Sequence, residues 1–409
     1  MKICLLTYRG NPHCGGQGVY VKYLSKALTE LGHRVDVVSG PPHPVLFPGI
    51  DNIRIPSLDL YNPDHLFRKP ALSELLDPIN LLEWLSVITM GFPEPYTFGK
   101  RVCKFMLKRI DRYDIVHDNQ SLSYGIEKIS RHIPTVATVH HPITIDRDIA
   151  VKSTSSFFKK LQHLRWYSFI GMQKRVSRKL DRIITVSKRT RKDIGREFSI
   201  PVDKIEVVFN GIDARQFRPM PEVSREPFRI ITTNSADTPL KGLKYLLRAI
   251  ARLSERQKIR LVVIGVPQKN GISEDIKELS LEEIVTFTGR ISHSDLVMQY
   301  AKASVAVVPS VYEGFGFPAG EAMACGLPVV STSGGALPEV IGDSGILVPP
   351  GDADALSLAL WELLQNKAMA ASFGAAGMNR VKRMFAWENT AKNTVEIYKE
   401  AIREYRRFK

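Results

Sequence analysis

The sequence predicts two α/β domains, each a doubly wound, parallel sheet with helices on both faces. Three observations carry that expectation. Short runs rich in Val and Ile alternate with longer amphipathic segments along the chain, as strands buried on both faces do. The runs fall into two sets of about six, parted by a polar, Pro-rich stretch at 209–227. A chain of 409 residues is long for one domain, and 44% hydrophobic residues is ample for two cores.

The first set of runs is KICLLT (2–7), RVDVVS (34–39), DIVHDN (114–119), TVATVH (135–140), RIITVS (182–187) and IEVVFN (205–210). Residues 41–100 are Pro-rich and read as an inserted helical excursion. The break falls in FNGIDARQFRPMPEVSREP (209–227), which carries a turn at Asn210-Gly211. The second set is RIITTN (229–234), RLVVIG (260–265), VTFTGR (285–290), VAVVPS (305–310), PVVSTS (328–333) and GILVPP (345–350). The chain closes on AWENTAKNTVEIYKEAIREY (386–405), where Trp387, Ala391, Val395, Tyr398, Ile402 and Tyr405 share one helical face. The expected division is 1–215, 216–385 and the closing helix 386–409.

No run of apolar residues is long enough to span a bilayer, and MKICLLTYRG reads as a first strand rather than a signal peptide. Cys4, Cys14, Cys103 and Cys325 are scattered, with no CxxC pair and no metal spacing. A reducing, cytoplasmic setting is the expectation. The net charge of +15 implies an anionic partner. Nucleic acid is not expected, because no zinc spacing, RNP-like run or other recognised module accompanies the charge.

In such folds ligands bind beyond the carboxyl ends of the strands, so motifs that follow strands carry the function. After the first run comes YRGNPHCGGQGVYVKYLSKAL, whose Gly15, Gly16 and Gly18 precede a helix. Glycines admit a close ligand, and a helix start favours phosphate. They serve a tight packing turn equally well, and the loop alone leaves both readings open. TVATVHHP places His140 directly after a strand. It suits a hydrogen bond to a sugar hydroxyl, or a satisfied histidine near the core. Lys241 and Gly242 sit where a loop becomes a helix. The helix dipole disfavours an ammonium there, and an anionic ligand offsets that cost.

EGFGFPAGE (313–321) sets Glu313 and Glu321 around a glycine-rich aromatic loop after the strand run VAVVPS. Pro318 suits the first turn of a helix, which places Glu321 in that first turn. Glu321 there complements the dipole; a carboxylate is also an acceptor for two vicinal hydroxyls. Gly314 and Gly316 leave backbone N–H groups to face phosphate or sugar.

Taken together, these motifs resemble the retaining glycosyltransferases of the GT-B fold, the group 1, family 4-like set. The resemblance rests on ExFGxxxxE at 313–321, the Lys241-Gly242 helix start, the GG loop, GHRVDVVS, Thr138-Val139-His140, DRIITVS, NGID, SGGALPEVI and GILVPPGD. It covers nearly the whole chain. It implies two Rossmann-like domains facing a crevice, with the closing helix crossing back to the first. Glu321 is then expected to hold the nucleotide ribose and Glu313 the donor sugar. Phe315 and Gly316 are expected to offer backbone near sugar and phosphate, Lys241 and Gly16 to contact the diphosphate, and His140 to touch the sugar near the reacting carbon. The family often carries an arginine shortly before the lysine. Here Asn234, Ser235 and Ala236 stand in that region, and Arg290 is the candidate replacement.

The implied reaction moves a hexose from a UDP- or GDP-hexose to a hydroxyl with retention, by front-face attack, without a cofactor or metal. The pairs Asp146/Asp148 and Asp352/Asp354 read as structural, with Asp352 as a helix N-cap. Two segments, 156–182 and 100–112, mix Lys and Arg with aromatics. They read either as core helices with a solvated basic face or as a surface for an anionic membrane, which suits a lipid-linked or polysaccharide-precursor acceptor. The competing functions are a nucleotide-sugar epimerase and a non-catalytic nucleotide-sugar binder.

Overall fold

The computed structural model describes residues 1–11, 16–62, 65, 68–234, 239–267 and 271–407. Gly15, Ser235 and Ala236 lie outside them. The chain forms two compact units, Met1–Val208 with Thr390–Lys409, and Phe209–Asn389.

The first unit holds β1 (Lys2–Thr7), β2 (Arg34–Ser39), β3 (Asp51–Arg54), β4 (Ile115–Asn119), β5 (Thr135–Val139), β6 (Arg182–Thr185) and β7 (Ile205–Val207). They form one parallel sheet in the order β3-β2-β1-β4-β5-β6-β7. The second unit holds β8 (Arg229–Thr233), β9 (Arg260–Ile264), β10 (Val285–Phe287), β11 (Val305–Val308), β12 (Val329–Thr332) and β13 (Ile346–Val348). Their order is β10-β9-β8-β11-β12-β13, again parallel. Each sheet reverses its direction of growth once, between β1 and β4 and between β8 and β11. A crevice opens at such a switch point, because the flanking crossovers leave to opposite faces.

All twelve apolar runs become strands, and the central ones are buried along their whole length because they are covered on both faces. The added strand is β3. Its sequence, DNIR, lies at the sheet edge with no buried residue, so no apolar run marks it. The rest of 41–100 does supply helices, Leu72–Leu75, Pro78–Ile88 and the start of Glu94–Met106.

The units divide at 208/209 rather than 215/216. NGID belongs with the second unit because Ile212 N–H donates to the Phe385 carbonyl at 2.6 Å. A Cβ on Gly211 would also lie 2.4 Å from the Trp387 ring. The closing helix runs Trp387–Arg407 and belongs to the first unit from Thr390 on. There Ala391, Val395 and Tyr398 are buried, and Arg182 grips the Glu404 carboxylate with Nε at 3.2 Å and Nη2 at 2.5 Å.

Tyr398 also ends a buried polar chain. Its hydroxyl lies 2.5 Å from His117 Nδ1, and His117 Nε2 lies 2.7 Å from Thr138 Oγ1. Burial pushes the His117 imidazole down to about 3, so it is neutral. Tyr398→Phe keeps the ring but strands a buried nitrogen. It should cost the first unit about 1–3 kcal/mol, read as a lowered denaturant midpoint with an unchanged slope.

Candidate functional site

In the second unit the site grows from the β8/β11 switch point. After β8 the chain passes a 3-10 turn at Pro239–Lys241 and enters the helix Leu243–Ser254 through Gly242, at φ +68°. A Cβ on Gly242 would lie 2.0 Å from the Pro309 carbonyl oxygen. Only glycine permits that approach, which lets Val311 N–H donate to the Leu240 carbonyl at 2.7 Å. The two loops are thereby tied together, and Lys241 is set beside the loop after β11.

That loop is held from its other side by SGGALPEV. A Cβ on Gly335 would lie 2.1 Å from the Glu313 carbonyl oxygen, and one on Gly334 2.5 Å from that of Val311. Ala336 N–H donates to the Glu313 carbonyl at 2.8 Å. Phe315 is an anchor: its side chain is buried, edge-on to Phe317 and Phe385. Gly316, at φ +105°, caps the helix Phe317–Ala324.

Within this frame Lys241 Nζ donates to Glu313 Oε1 at 2.7 Å, and Ser310 Oγ donates to the same oxygen at 2.8 Å. Both members of the ion pair are partly buried. The pair joins two of the sequence-assigned residues directly, and Ser310 is an addition. A cation and a carboxylate that already face each other can be turned to a diphosphate and to hydroxyl donors.

Glu321 requires a correction. The helix begins at Phe317, no acid lies in its first turn, and Glu321 is its fifth residue. The dipole reading therefore fails. Its carboxylate is instead packed inward, where burial raises its pKa to about 7 and a hydrogen bond from the Tyr300 hydroxyl opposes that rise. The Tyr300 oxygen lies 3.1 Å from Thr233 Oγ1 at the end of β8. Tyr300, on the helix His293–Lys302, carried no signal in the sequence beyond its place on a buried helical face.

Arg290 makes no hydrogen bond or ion pair with this group among the described residues. It follows the edge strand β10, is exposed, and has no hydrogen-bond or ion-pair partner among the described residues.

In the first unit a second group sits at the β1/β4 switch point. Asn119, the last residue of β4, donates through Nδ2 to Thr7 Oγ1 at 3.2 Å and to the Gln17 carbonyl at 3.3 Å. Its Oδ1 lies 2.7 Å from His140 Nε2, so that nitrogen carries the proton. His140 N–H donates to Gln120 Oε1 at 2.7 Å, and Tyr20 packs edge-on at 4.8 Å. Burial pushes His140 down to about 3. A neutral ring protonated at Nε2 leaves Nδ1 as an acceptor. Asn119, Gln120 and Tyr20 were not singled out in the sequence. Gly16 opens the helix Gly16–Glu30 and is partly exposed. Gly18 is a packing glycine, since its Cβ would lie 2.4 Å from the Asn11 carbonyl oxygen.

The two Asp-x-Asp pairs are engaged elsewhere. Asp146 lies 2.7 Å from His141 Nε2, Asp148 pairs with Arg147, Asp354 pairs with Arg252, and Asp352 caps its helix through Ala355 N–H at 2.9 Å. Among the described residues no three His, Cys, Asp or Glu gather as metal ligands.

Two parallel, doubly wound units, each with a polar group at its switch point, make up the two-domain α/β architecture of the GT-B fold. Comparison narrows this. The profile of glycosyl transferases group 1 matches residues 216–380, and that of Glycosyltransferase Family 4 matches residues 14–216. An MMP alpha-(1->4)-mannosyltransferase of Mycolicibacterium hassiacum is 43% identical over 98% of both chains. Among solved structures, the sucrose-phosphate synthase of Thermosynechococcus elongatus superposes with a TM-score of 0.75 at 24% identity, over 98% of this chain and 99% of that one. Anabaena HepE in complex with UDP and glucose superposes at 0.70 and 18% identity, over 97% and 99%. The chain belongs to the group 1 glycosyltransferase family, and it is a glycosyltransferase.

The raised Glu321 pKa gives a signed expectation. A carboxyl that titrates near 7 when folded and near its ordinary value when unfolded favours folding fully only below that ordinary value. That contribution is lost as pH rises through 7. Glu321→Gln should therefore raise the melting temperature more at pH 8 than at pH 5. Tyr300→Phe removes the opposing hydrogen bond, so a carbon-13 titration should show the Glu321 carboxyl moving above about 7.

Proposed function

We propose that the chain is a retaining mannosyltransferase that moves mannose from a nucleoside diphosphate mannose to a sugar hydroxyl of a glycan acceptor, forming an α-(1→4) linkage. The observation that carries this reading is the Lys241–Glu313 pair between the loops after β8 and β11, with Glu321 packed inward on the helix that follows the same β11 loop. It supplies a cation for a diphosphate, a carboxylate for sugar hydroxyls, and a second carboxylate for ribose hydroxyls. The choice of mannose and of linkage follows the relative that is 43% identical along its whole length. The nucleotide donor is supported by the UDP-bound structural neighbour.

In this reading Glu321 accepts from both ribose hydroxyls and Tyr300 holds its carboxylate in place. On donor binding Lys241 turns from Glu313 to the diphosphate, and Glu313 accepts from the hexose hydroxyls. The bond from the anomeric carbon to the diphosphate breaks. The acceptor oxygen forms its bond on the same face, and its proton passes to the departing diphosphate oxygen. Lys241 and the loop amides stabilise the charge that develops there. The step is written without a divalent ion, since these groups supply the positive charge. His140 presents Nδ1 as acceptor for a sugar hydroxyl.

The test is direct. GDP-mannose and UDP-mannose are each incubated with a mannose oligosaccharide, with and without EDTA, and the product anomer is read by NMR. Transfer with an α-linked product, unaffected by EDTA, is expected. Lys241→Ala should lower kcat about a hundredfold or more, as loss of a charge-stabilising donor does. Glu321→Ala should weaken nucleoside diphosphate binding about tenfold to a hundredfold, the worth of hydrogen bonds to a charged acceptor. Donor consumed without acceptor would mean an epimerase, and binding without turnover a non-catalytic binder.

A further inference from the structure

The basic, aromatic segments remain unused by the transfer site, and the structure divides them. The helices Glu94–Met106 and Ile170–Lys179 bury Val102, Met106, Met172 and Val176. They are core helices with solvated cations. The helix Phe157–Trp166 is different, for none of its residues is buried. Phe157 and Phe158 are 68% and 75% exposed, and Leu161 and Leu164 continue their stripe.

A neighbouring helix shows the same inversion. On Pro78–Ile88 the exposed large apolar residues are Leu81, Leu82, Leu85 and Ile88, and the buried residue is Glu83, which pairs with Arg101. The short helix before it leaves Leu72 and Leu76 85% and 83% exposed. Most exposed large apolar side chains among the described residues lie on these helices and their caps. The long pair is joined at its ends: Arg165 Nη2 donates to Thr89 Oγ1 at 3.0 Å, and Phe92 stacks on Trp166 at 5.0 Å. An exposed apolar face of this extent marks an interaction surface.

Charge identifies the occupant. Between Asp148 and Asp181 the sequence holds eight Lys or Arg and no Asp or Glu. Lys159, Lys160 and Arg165 flank the apolar stripe. The acids nearby are engaged: Glu74 with Arg68, Glu83 with Arg101, and Asp77 as the cap of its own helix. A second copy of this chain would bring this lysine-rich face against itself in a twofold contact, between molecules of charge +15. A bilayer with anionic headgroups accepts both features, leucine and phenylalanine at the acyl boundary and ammonium groups among the phosphates.

We propose that this face of the first unit docks on an anionic lipid bilayer, lying in its interface. Among the described residues no helix is long and apolar enough to cross a membrane. The proposal does not depend on the sugar transferred.

The purified full chain is floated with vesicles of phosphatidylcholine, alone or mixed with phosphatidylglycerol, at physiological salt. The protein should partition at least about tenfold better to the mixed vesicles. Phe157→Ser with Phe158→Ser, Leu81→Ser with Leu85→Ser, and Lys159→Glu with Lys160→Glu should each lower that binding about tenfold or more. Nucleotide binding and melting temperature should stay unchanged in all three. No partition of the parent protein, or partition that all three pairs retain, overturns the proposal. So does a dimer in light scattering that the leucine pair dissolves, which would make this face a self-contact.

Discussion

The second unit depends on a close approach of backbone that only glycine allows. The loops after β8, β11 and β12 touch through Gly242, Gly334 and Gly335, each with a carbonyl oxygen where a Cβ would stand. The contact costs little because nothing must be displaced, yet it fixes Lys241 against Glu313 across 72 residues of sequence. A side chain at any of the three positions would push the loops apart, and the ion pair would open before the core was disturbed. The glycines of this region are therefore the hinge pins of an electrostatic arrangement, and their conformational freedom is a secondary matter except at Gly242 and Gly335, where φ is positive.

The pair itself gains modestly. A partly buried lysine and glutamate lose solvation about as fast as they gain attraction, so the contact is poor evidence of stability. Its value is positional. It keeps an ammonium pointed at the β8/β11 switch point and keeps a carboxylate from turning outward, with Ser310 sharing the load on one oxygen. In the reading proposed above, a dianionic ligand takes the lysine and sugar hydroxyls supply the donors that the released carboxylate then lacks.

Much of this was legible in the sequence, and the reasons for the rest are physical. Strands covered on both faces announce themselves as apolar runs, so twelve were found. β3 was not, since an edge strand with polar DNIR has no such requirement. The turns that carry Glu313, Lys241 and His140 were legible, because glycines and strand ends mark them. Tyr300, Ser310 and Asn119 were not, because each acts through a partner brought to it by the fold. The first-turn placement of Glu321 failed because Gly316 stops the helix at Phe317, one turn before the glutamate. The basic segments could be divided only once burial was known. A Val102 or Val176 and a Phe158 look alike in sequence, and only packing shows that the first two face a core and the third does not.

Each unit holds a titratable group shifted by burial at its switch point. His140 is kept neutral by burial and locked in one tautomer by Asn119; burial pushes the Glu321 carboxyl up to about 7, against a hydrogen bond from Tyr300 that lowers it. Each arrangement costs folding energy that a Leu or Gln would not. That cost is offset only when something arrives that wants an acceptor. A neutral Nδ1 accepts a hydroxyl proton without competing for it. Burial that shifts a titratable group with acceptor atoms to offer, found at the switch point of each unit taken by itself, marks each as a candidate functional position.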